Sequence, residues 1–313
     1  MINEVHITTN SWRSWILAIR PKTLTGAAIP VLIGIAWALN NVGWKEFDLI
    51  PATLCLLFAF IMQIDANLVN DYFDCLKGND SSNTRLGPKR ACSEGWITLP
   101  AMRCGIVITS LLACAIGLPL IWYGGIGMIA IGLLCLCFCF LYTTHLSYLG
   151  LGDILVLIFF GLIPVCLTYY VTVPVHLQYI PTAVWLAGIG CGMVTDTLLI
   201  VNNYRDREND LRDGKITLVV RIGSKNSEKL YGVLGYMGIV CAVVAALMTW
   251  NGCKAWIFII LLLPYLFLHQ HTLHCMIRIH TGKQLNKILN KTARNMLIYG
   301  ISTALSVIIT HLL

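Results

Sequence analysis

The sequence predicts an all-α polytopic membrane protein, and three observations carry that prediction. Apolar residues make up 57% of the 313 and charged residues only 12%, about half the charged share of an ordinary soluble domain. The mean hydropathy is +0.75. The apolar residues also gather into nine runs, near 23–40, 51–72, 101–121, 124–141, 151–171, 181–203, 230–249, 253–269 and 293–312. Each has the roughly 17–25 residues that a spanning helix needs. The chain therefore reads as one integral-membrane domain over 1–313.

Charge sets the orientation. Of the 22 Lys and Arg residues, only Lys45 and Lys254 lie on the side reached after odd-numbered runs, and the other twenty lie on the side of the N-terminus. The positive-inside rule then predicts a cytoplasmic N-terminus and cytoplasmic charged loops. The net charge of +7 is accounted for by topology and attraction to anionic head groups, so it points to a lipid bilayer and not to nucleic acid.

The elements follow in order. Residues 1–10 are polar and carry no secretory signal pattern, so the first run is expected to act as its own insertion signal. Ser11 to Thr23 interleaves Trp12 and Trp15 with Arg13, Arg20 and Lys22, as a helix lying in the membrane interface does. Arg20 and Lys22 serve either topology or contact with an anionic ligand. The second run carries Gln63, Asp65 and Asn67. Polar groups at that depth require a protein interior or a wet cavity, so this helix is expected to line a polar pocket. The loop 75–100, rich in charge and punctuated by Gly78, Gly87, Pro88 and Gly95, reads as an ordered cap or as solvated surface.

The fourth run ends in Tyr142-Thr143-Thr144-His145, and the fifth contains Tyr169 and Tyr170, which suit an outer aromatic belt. Asp196 in the sixth run is either a structural buried acid or a group with a direct role. The 13 cysteines lie mainly in the apolar runs and read as small reduced apolar groups. His269, His271, His274 and His280 sit among bases without an accompanying carboxylate, which favours an interfacial segment over a metal site.

One pattern occurs twice. Val69-Asn70-Asp71-Tyr72-Phe73-Asp74 matches Val201-Asn202-Asn203-Tyr204-Arg205-Asp206 position for position, and each copy closes an apolar run. Both continue with acids and bases, to Lys77 and Asp80 in the first and to Asp210, Asp213 and Lys215 in the second. This predicts an internal duplication, with motif one over 67–90 and motif two over 196–217. Helical spacing puts Asn67, Asp71 and Asp74 on one face and Asn203, Asp206 and Asp210 on another.

Acids gathered at one end of a helical bundle repel one another unless cations lie between them. Mg²⁺ suits oxygen ligands and is usually held by one or two carboxylates together with substrate phosphates. Two such motifs would clamp a diphosphate, with Lys77, Arg90, Arg205 and Lys215 as phosphate contacts. Departure of the diphosphate would leave an allylic cation, which an aromatic face can stabilise by about 0.5–2 kcal/mol. Tyr72, Tyr142 and Tyr148 are the candidates for that face. Cation-coupled transport is the alternative from a different class, but it has no use for Lys and Arg beside the acids.

The set Arg20-Pro21-Lys22-Thr23-Leu24, Asn70-Asp71-x-x-Asp74-x-x-Lys77-Gly78-x-Asp80, Arg85-Leu86-Gly87-Pro88, Leu151-Gly152-Asp153, Thr168-Tyr169-Tyr170 and Asn202-Asn203-x-Arg205-Asp206-x-x-x-Asp210-x-x-x-Gly214-Lys215 resembles the UbiA superfamily of intramembrane prenyltransferases. Within it the set is most similar to the MenA branch, the 1,4-dihydroxy-2-naphthoate polyprenyltransferases of menaquinone synthesis. The resemblance implies a nine-transmembrane-helix UbiA-type bundle with cytoplasmic cap loops in a bacterial inner membrane. It implies that Asp71, Asp74, Asp206 and Asp210 hold Mg²⁺ on a polyprenyl diphosphate. Asp80 takes the branch's third acidic position in place of Gly78. The resemblance carries over Asn67, Lys77, Arg90 and Lys215 as neighbours of the diphosphate; Asn70, Asn203, Arg20 and Lys22 are further candidates for substrate binding, and Tyr142 is the candidate catalytic aromatic. The implied reaction prenylates 1,4-dihydroxy-2-naphthoate with loss of its carboxylate, giving demethylmenaquinone. Prenylation of another aromatic acceptor, such as 4-hydroxybenzoate, is the same-fold alternative. Thr144-His145 departs from the glycine-rich step expected after Tyr142-Thr143, and no family role attaches to Asp65 or Asp196.

Overall fold

The computed structural model describes residues 7–78 and 85–313, and among them nine helical segments are long and apolar enough to cross a membrane. An interfacial helix α1 (Trp12–Ile19) starts where the Ser11 hydroxyl accepts the Ser14 amide, and it stops at Arg20, whose φ of 53° is left-handed. A 3-10 turn over Pro21–Thr23 then feeds α2 (Leu24–Glu46). α3 (Leu49–Lys77) begins at Asp48, whose carboxylate accepts the Ile50 amide at 2.9 Å. After the 85–98 loop come α4 (Leu99–Gly117), the short α5 (Ile121–Gly124) and α6 (Gly127–Leu141). α7 (Gly152–Leu157) and α8 (Ile163–Thr172) form one span joined by a π-helical turn, Ile158–Leu162. The remaining spans are α9 (Thr182–Arg212), α10 (Leu218–Thr249), α11 (Cys253–Ile279) and α12 (Leu285–Leu312).

The two motif helices run well past their apolar stretches, to Lys77 and to Arg212. Their acids therefore ride on the last turns of rigid helices and not on loops. Each end is closed by a glycine in the left-handed region, Gly78 and Gly214, both at φ 71°, where a side chain would cost about 1–2 kcal/mol. This is the backbone counterpart of the duplicated sequence.

α9 is the most enclosed span, packed against α2, α7, α8, α10 and α12. Its approach to the α7–α8 span depends on missing side chains. A Cβ on Gly161 would stand 2.5 Å from the Gly188 carbonyl oxygen, and one on Gly192 would stand 2.7 Å from that of Leu157. Small residues substitute here for the hydrophobic drive that helices lack inside lipid. The largest buried cluster joins α2, α8, α9, α10, α11 and α12 through Trp37, Phe258, Tyr265 and Tyr299, with Trp37 stacked on Trp250 at 5.3 Å.

Two polar residues of the spans find structural partners. The Asp65 carboxylate accepts from Thr109 at 2.5 Å and Ser110 at 3.0 Å, which ties α3 to α4. Tyr169 corrects the aromatic-belt expectation, since it is buried and its hydroxyl accepts the Asn41 amide at 2.7 Å. His269, expected in the last charged loop, lies instead within α11, buried and stacked between Tyr231 and Tyr265. All 13 cysteines are free.

Candidate active site

A cavity of about 1230 Å³ runs between α2, α3, α6, the α7–α8 span, α9 and α12, larger than the roughly 300–1,000 Å³ of an ordinary ligand pocket. One part is walled by apolar groups such as Phe58, Met62, Ile129, Phe159 and Leu167. The other holds the two motifs and both loops that follow them. Among the described residues seven cationic side chains (Arg20, Lys22, Arg85, Lys89, Arg90, Arg205 and Lys215) and four acidic ones (Asp74, Asp206, Asp210 and Asp213) line it. That excess of positive charge suits a multiply charged anion.

From motif one, Asn70 and Asp74 face the cavity. Thr143 donates a hydrogen bond to the Asn70 side-chain Oδ1, and the Arg90 guanidinium donates to Asp74 at 3.0 Å. From motif two, Asn203, Asp206 and Asp210 face it, together with Asn202, Asn209 and Arg205. Arg205, only 3% exposed, grips the Asp206 carboxylate with both prongs at 2.5 and 2.8 Å. It also donates to Asn202 and to Asn286, each at 2.8 Å. Lys215 lies 3.6 Å from Asp210 Oδ1, while Asp210 Oδ2 is buried without a hydrogen-bond donor. The motifs converge: Arg85 lies within electrostatic reach of both Asp74 and Asp206, and Tyr142 within reach of both Asp74 and Asp210. Burial, then the like charge of Arg20, lowers the Arg85 guanidinium from its ordinary value, and Asp206 and Asp74 pull it back.

Three predicted site residues turn away from the cavity, which corrects the face assigned to motif one. Asn67 donates to the Ile19 carbonyl at 2.9 Å and to Thr23 at 2.8 Å, bolting α3 to the junction of α1 and α2. Asp71, 1% exposed, accepts the backbone amides of Ala91 at 2.9 Å and Cys92 at 3.1 Å, with Arg20 at 3.9 Å. Its carboxylate anchors the 85–98 loop. The Lys77 ammonium donates to the Thr144 carbonyl at 2.9 Å and sits 3.9 Å over the Tyr148 ring. Asp80, also a predicted site residue, lies outside the described residues.

Tyr142 lines the cavity where α6 passes into a π-helical turn, Tyr142–Leu146. Of the other two candidate rings, Tyr148 also lines the cavity, with the Lys77 ammonium 3.9 Å over it, whereas Tyr72 packs edge-on against Phe73 and does not line it. Arg20 and Lys22 both line the charged part. Sequence reading missed Asn286 and Asn290 of α12, which also line it; their only signal is the i, i+4 spacing of two amides at the start of an apolar run. Asn286 is a bridge, donating to the Leu86 carbonyl at 2.8 Å while accepting from Arg205.

Among the described residues no group of three His, Cys, Asp or Glu side chains could hold a metal ion unaided. Mg²⁺ does not require one, since one or two carboxylates plus substrate phosphates are its usual protein-bound set. The cavity-facing carboxylates and the orphaned Asp210 Oδ2 fit that mode.

Comparison with known proteins agrees with this architecture. The chain is 33% identical over 258 residues to the 1,4-dihydroxy-2-naphthoate octaprenyltransferase of Escherichia coli K12, covering 79% of this chain and 81% of that one. It is 31% identical over 292 residues to the enzyme of the same name from Haemophilus influenzae, covering 88% of each. Among solved structures, the apo UbiA homolog of Aeropyrum pernix K1 shares the fold at a TM-score of 0.68 and 14% identity, over 91% of this chain and 97% of that one. The Archaeoglobus fulgidus homolog bound to GPP and Mg²⁺ matches at 0.64 and 14% identity, over 93% and 99%. The UbiA prenyltransferase family model matches residues 27–288, and this chain, a multi-pass membrane transferase, belongs to that family.

Proposed function

We propose that this chain transfers a polyprenyl group from a polyprenyl diphosphate to 1,4-dihydroxy-2-naphthoate, with loss of the ring carboxylate as CO₂, to give the prenylated dihydroxynaphthalene demethylmenaquinol, the reduced form of demethylmenaquinone. The observation that carries the reading is the two-part cavity, whose long apolar wall suits a hydrocarbon tail and whose charged part suits its diphosphate. The naphthoate acceptor rests on the names of the relatives. The charge bias of the loops supports a bacterial inner membrane with the charged part of the cavity on the cytoplasmic side.

Arg85, Arg90 and Lys215 bind the phosphate oxygens, the arginines with two-pronged geometry. Asp74, Asp206 and Asp210 would hold Mg²⁺, which when bound neutralises charge on the departing diphosphate. Arg205, clamped by Asn202 and Asn286, fixes the Asp206 carboxylate in one orientation, and this preorganisation removes a reorganisation cost during the reaction. The negative ends of α3 and α9 favour cations at the same place. Tyr142 covers the allylic carbon as its C–O bond breaks, and the apolar wall keeps water from the cation.

Purified protein with Mg²⁺, a polyprenyl diphosphate and a mixture of 1,4-dihydroxy-2-naphthoate and 4-hydroxybenzoate tests this. The expected products are prenylated naphthol, CO₂ and pyrophosphate in equal amounts. Preference for the benzoate would reassign the acceptor, and the absence of any prenylated aromatic would refute the reading.

A further inference from the structure

Beside Tyr142 the structure holds a second, smaller polar space. It is a void of about 10 Å³ lined by Tyr142, Ser147, Asp153, Asn203, Lys215 and Thr217, which is room for one water with several polar partners. Tyr142, Ser147, Asn203 and Lys215 also line the main cavity, so the two spaces share these four side chains.

Asp153 sits at the start of α7, 9% exposed, and its Oδ1 has no hydrogen-bond donor. Asp196 on α9, 4% exposed and within electrostatic reach of Asp153, has an Oδ1 in the same condition. A buried carboxyl oxygen without a donor is costly; Asp153 is met by its own backbone N–H, and among the described residues no side-chain hydroxyl donates to either acid as Thr109 and Ser110 do to Asp65. Gly152 brings the pair close to the reaction, since a Cβ there would stand 3.5 Å from the Tyr142 ring. Asp153, Asp196, Asp74 and Asp210 all lie within electrostatic reach of Tyr142. The void thus borders both Asp153 of this acid pair and Tyr142, the ring assigned to the reacting carbon.

The geometry points to Asp153 as the base that borrows a proton from a ring hydroxyl of the aromatic acceptor through one water held in this void, with Asp196 positioning the proton so that it lies between two carboxyls. The inference rests on the acceptor chemistry proposed above. The acceptor O–H bond breaks with its electron pair left on oxygen, and the proton passes through the water to Asp153 Oδ1. The electron-rich ring carbon beside that oxygen forms the new C–C bond as the diphosphate leaves with the C–O pair. Loss of CO₂ returns the pair of the broken C–C bond to the ring, and the borrowed proton goes back to the oxygen. Atoms and charge close without a further reagent.

The test uses the full-length protein and a series of ring-fluorinated dihydroxynaphthoates with progressively more acidic hydroxyls. Asp153→Asn should lower kcat about 10²-fold with the parent acceptor, the usual scale for a general base. KM for the polyprenyl diphosphate should stay within about threefold, and the deficit should shrink at least tenfold across the series. Asp196→Asn should show a smaller deficit with the same trend. A loss equal for all acceptors, or no loss, overturns the inference while leaving the proposed function standing. If Asp153→Asn does not accumulate in the membrane, Asp153→Glu is measured across the same series: a deficit that tracks acceptor acidity supports the base, and one that does not overturns it. Wild-type protein that prenylates no naphthoate refutes the proposed function and this inference with it.

Discussion

Replacing Arg205 with lysine keeps the charge and removes the fork. The arginine makes four hydrogen bonds, two to Asp206 and one each to Asn202 and Asn286, and lysine, a compact point charge, keeps one carboxylate contact without reproducing the planar geometry. Two or more bonds to a charged group are then lost, each worth about 1.5–3 kcal/mol when buried. The Asp206 side chain is 22% exposed, so water recovers part of this, and a net loss of about 2–3 kcal/mol corresponds to a roughly 30- to 160-fold fall in kcat/KM. The assay is prenylated naphthol formed per folded protein in lipid nanodiscs, with the folded fraction matched by its thermal transition. Arg205→Lys within threefold of wild type would refute the claim that the clamp on Asp206 matters for turnover.

Asp71→Asn and Asp74→Asn should separate. The first puts an amide against the Ala91 and Cys92 N–H groups, and it should cost about 1–3 kcal/mol of stability and loosen the 85–98 loop in hydrogen exchange. The second should leave the thermal transition nearly unchanged while turnover falls at least about 10²-fold. Burial, then the neighbouring Asp71 carboxylate, pushes the Cys92 thiol up to about 12, so it should resist iodoacetamide at pH 8 in the folded protein and react once Asp71→Asn frees the loop, read by mass spectrometry. Because the folded state favours the neutral thiol, its contribution to stability is full below about pH 9 and is lost as pH rises toward 12; Cys92→Ala should flatten that part of the profile. Gly192→Leu should push α7 from α9, since even a Cβ would meet the Leu157 carbonyl at 2.7 Å. A lower unfolding temperature, with a cost of about 1–3 kcal/mol or more, is the expected reading.

The spans were legible because lipid imposes a length and a composition on any helix that crosses it. The ends of the motif helices were not, because hydropathy cannot see a helix continue into Asn, Asp, Lys and Arg once the apolar run is over, as α9 does as far as Arg212. Helical periodicity correctly grouped Asn203, Asp206 and Asp210 on a cavity face. It put Asp71 on the site face as well, because Asp71 and Asp74 are neighbours on the same turn. The choice between them is made by backbone amides twenty residues further on, a tertiary contact with no signature in local spacing. Lys77 is diverted in the same way by the Thr143 and Thr144 carbonyls in the π-helical turn that follows α6. Asn286 was invisible for a related reason: its two partners, Leu86 and Arg205, lie in distant parts of the chain.

The central claim is that the two duplicated helix ends jointly hold the diphosphate of a long-chain substrate. A structure determined with Mg²⁺ and a non-reactive thio-diphosphate analogue of a polyprenyl substrate tests it directly. The account predicts diphosphate density in contact with groups of both motifs, Asp74 and Arg90 on one side and Asp210 and Lys215 on the other, with the hydrocarbon tail along the wall that contains Phe58 and Leu167. Density that touches one motif alone, or a tail lying outside that wall, would contradict it.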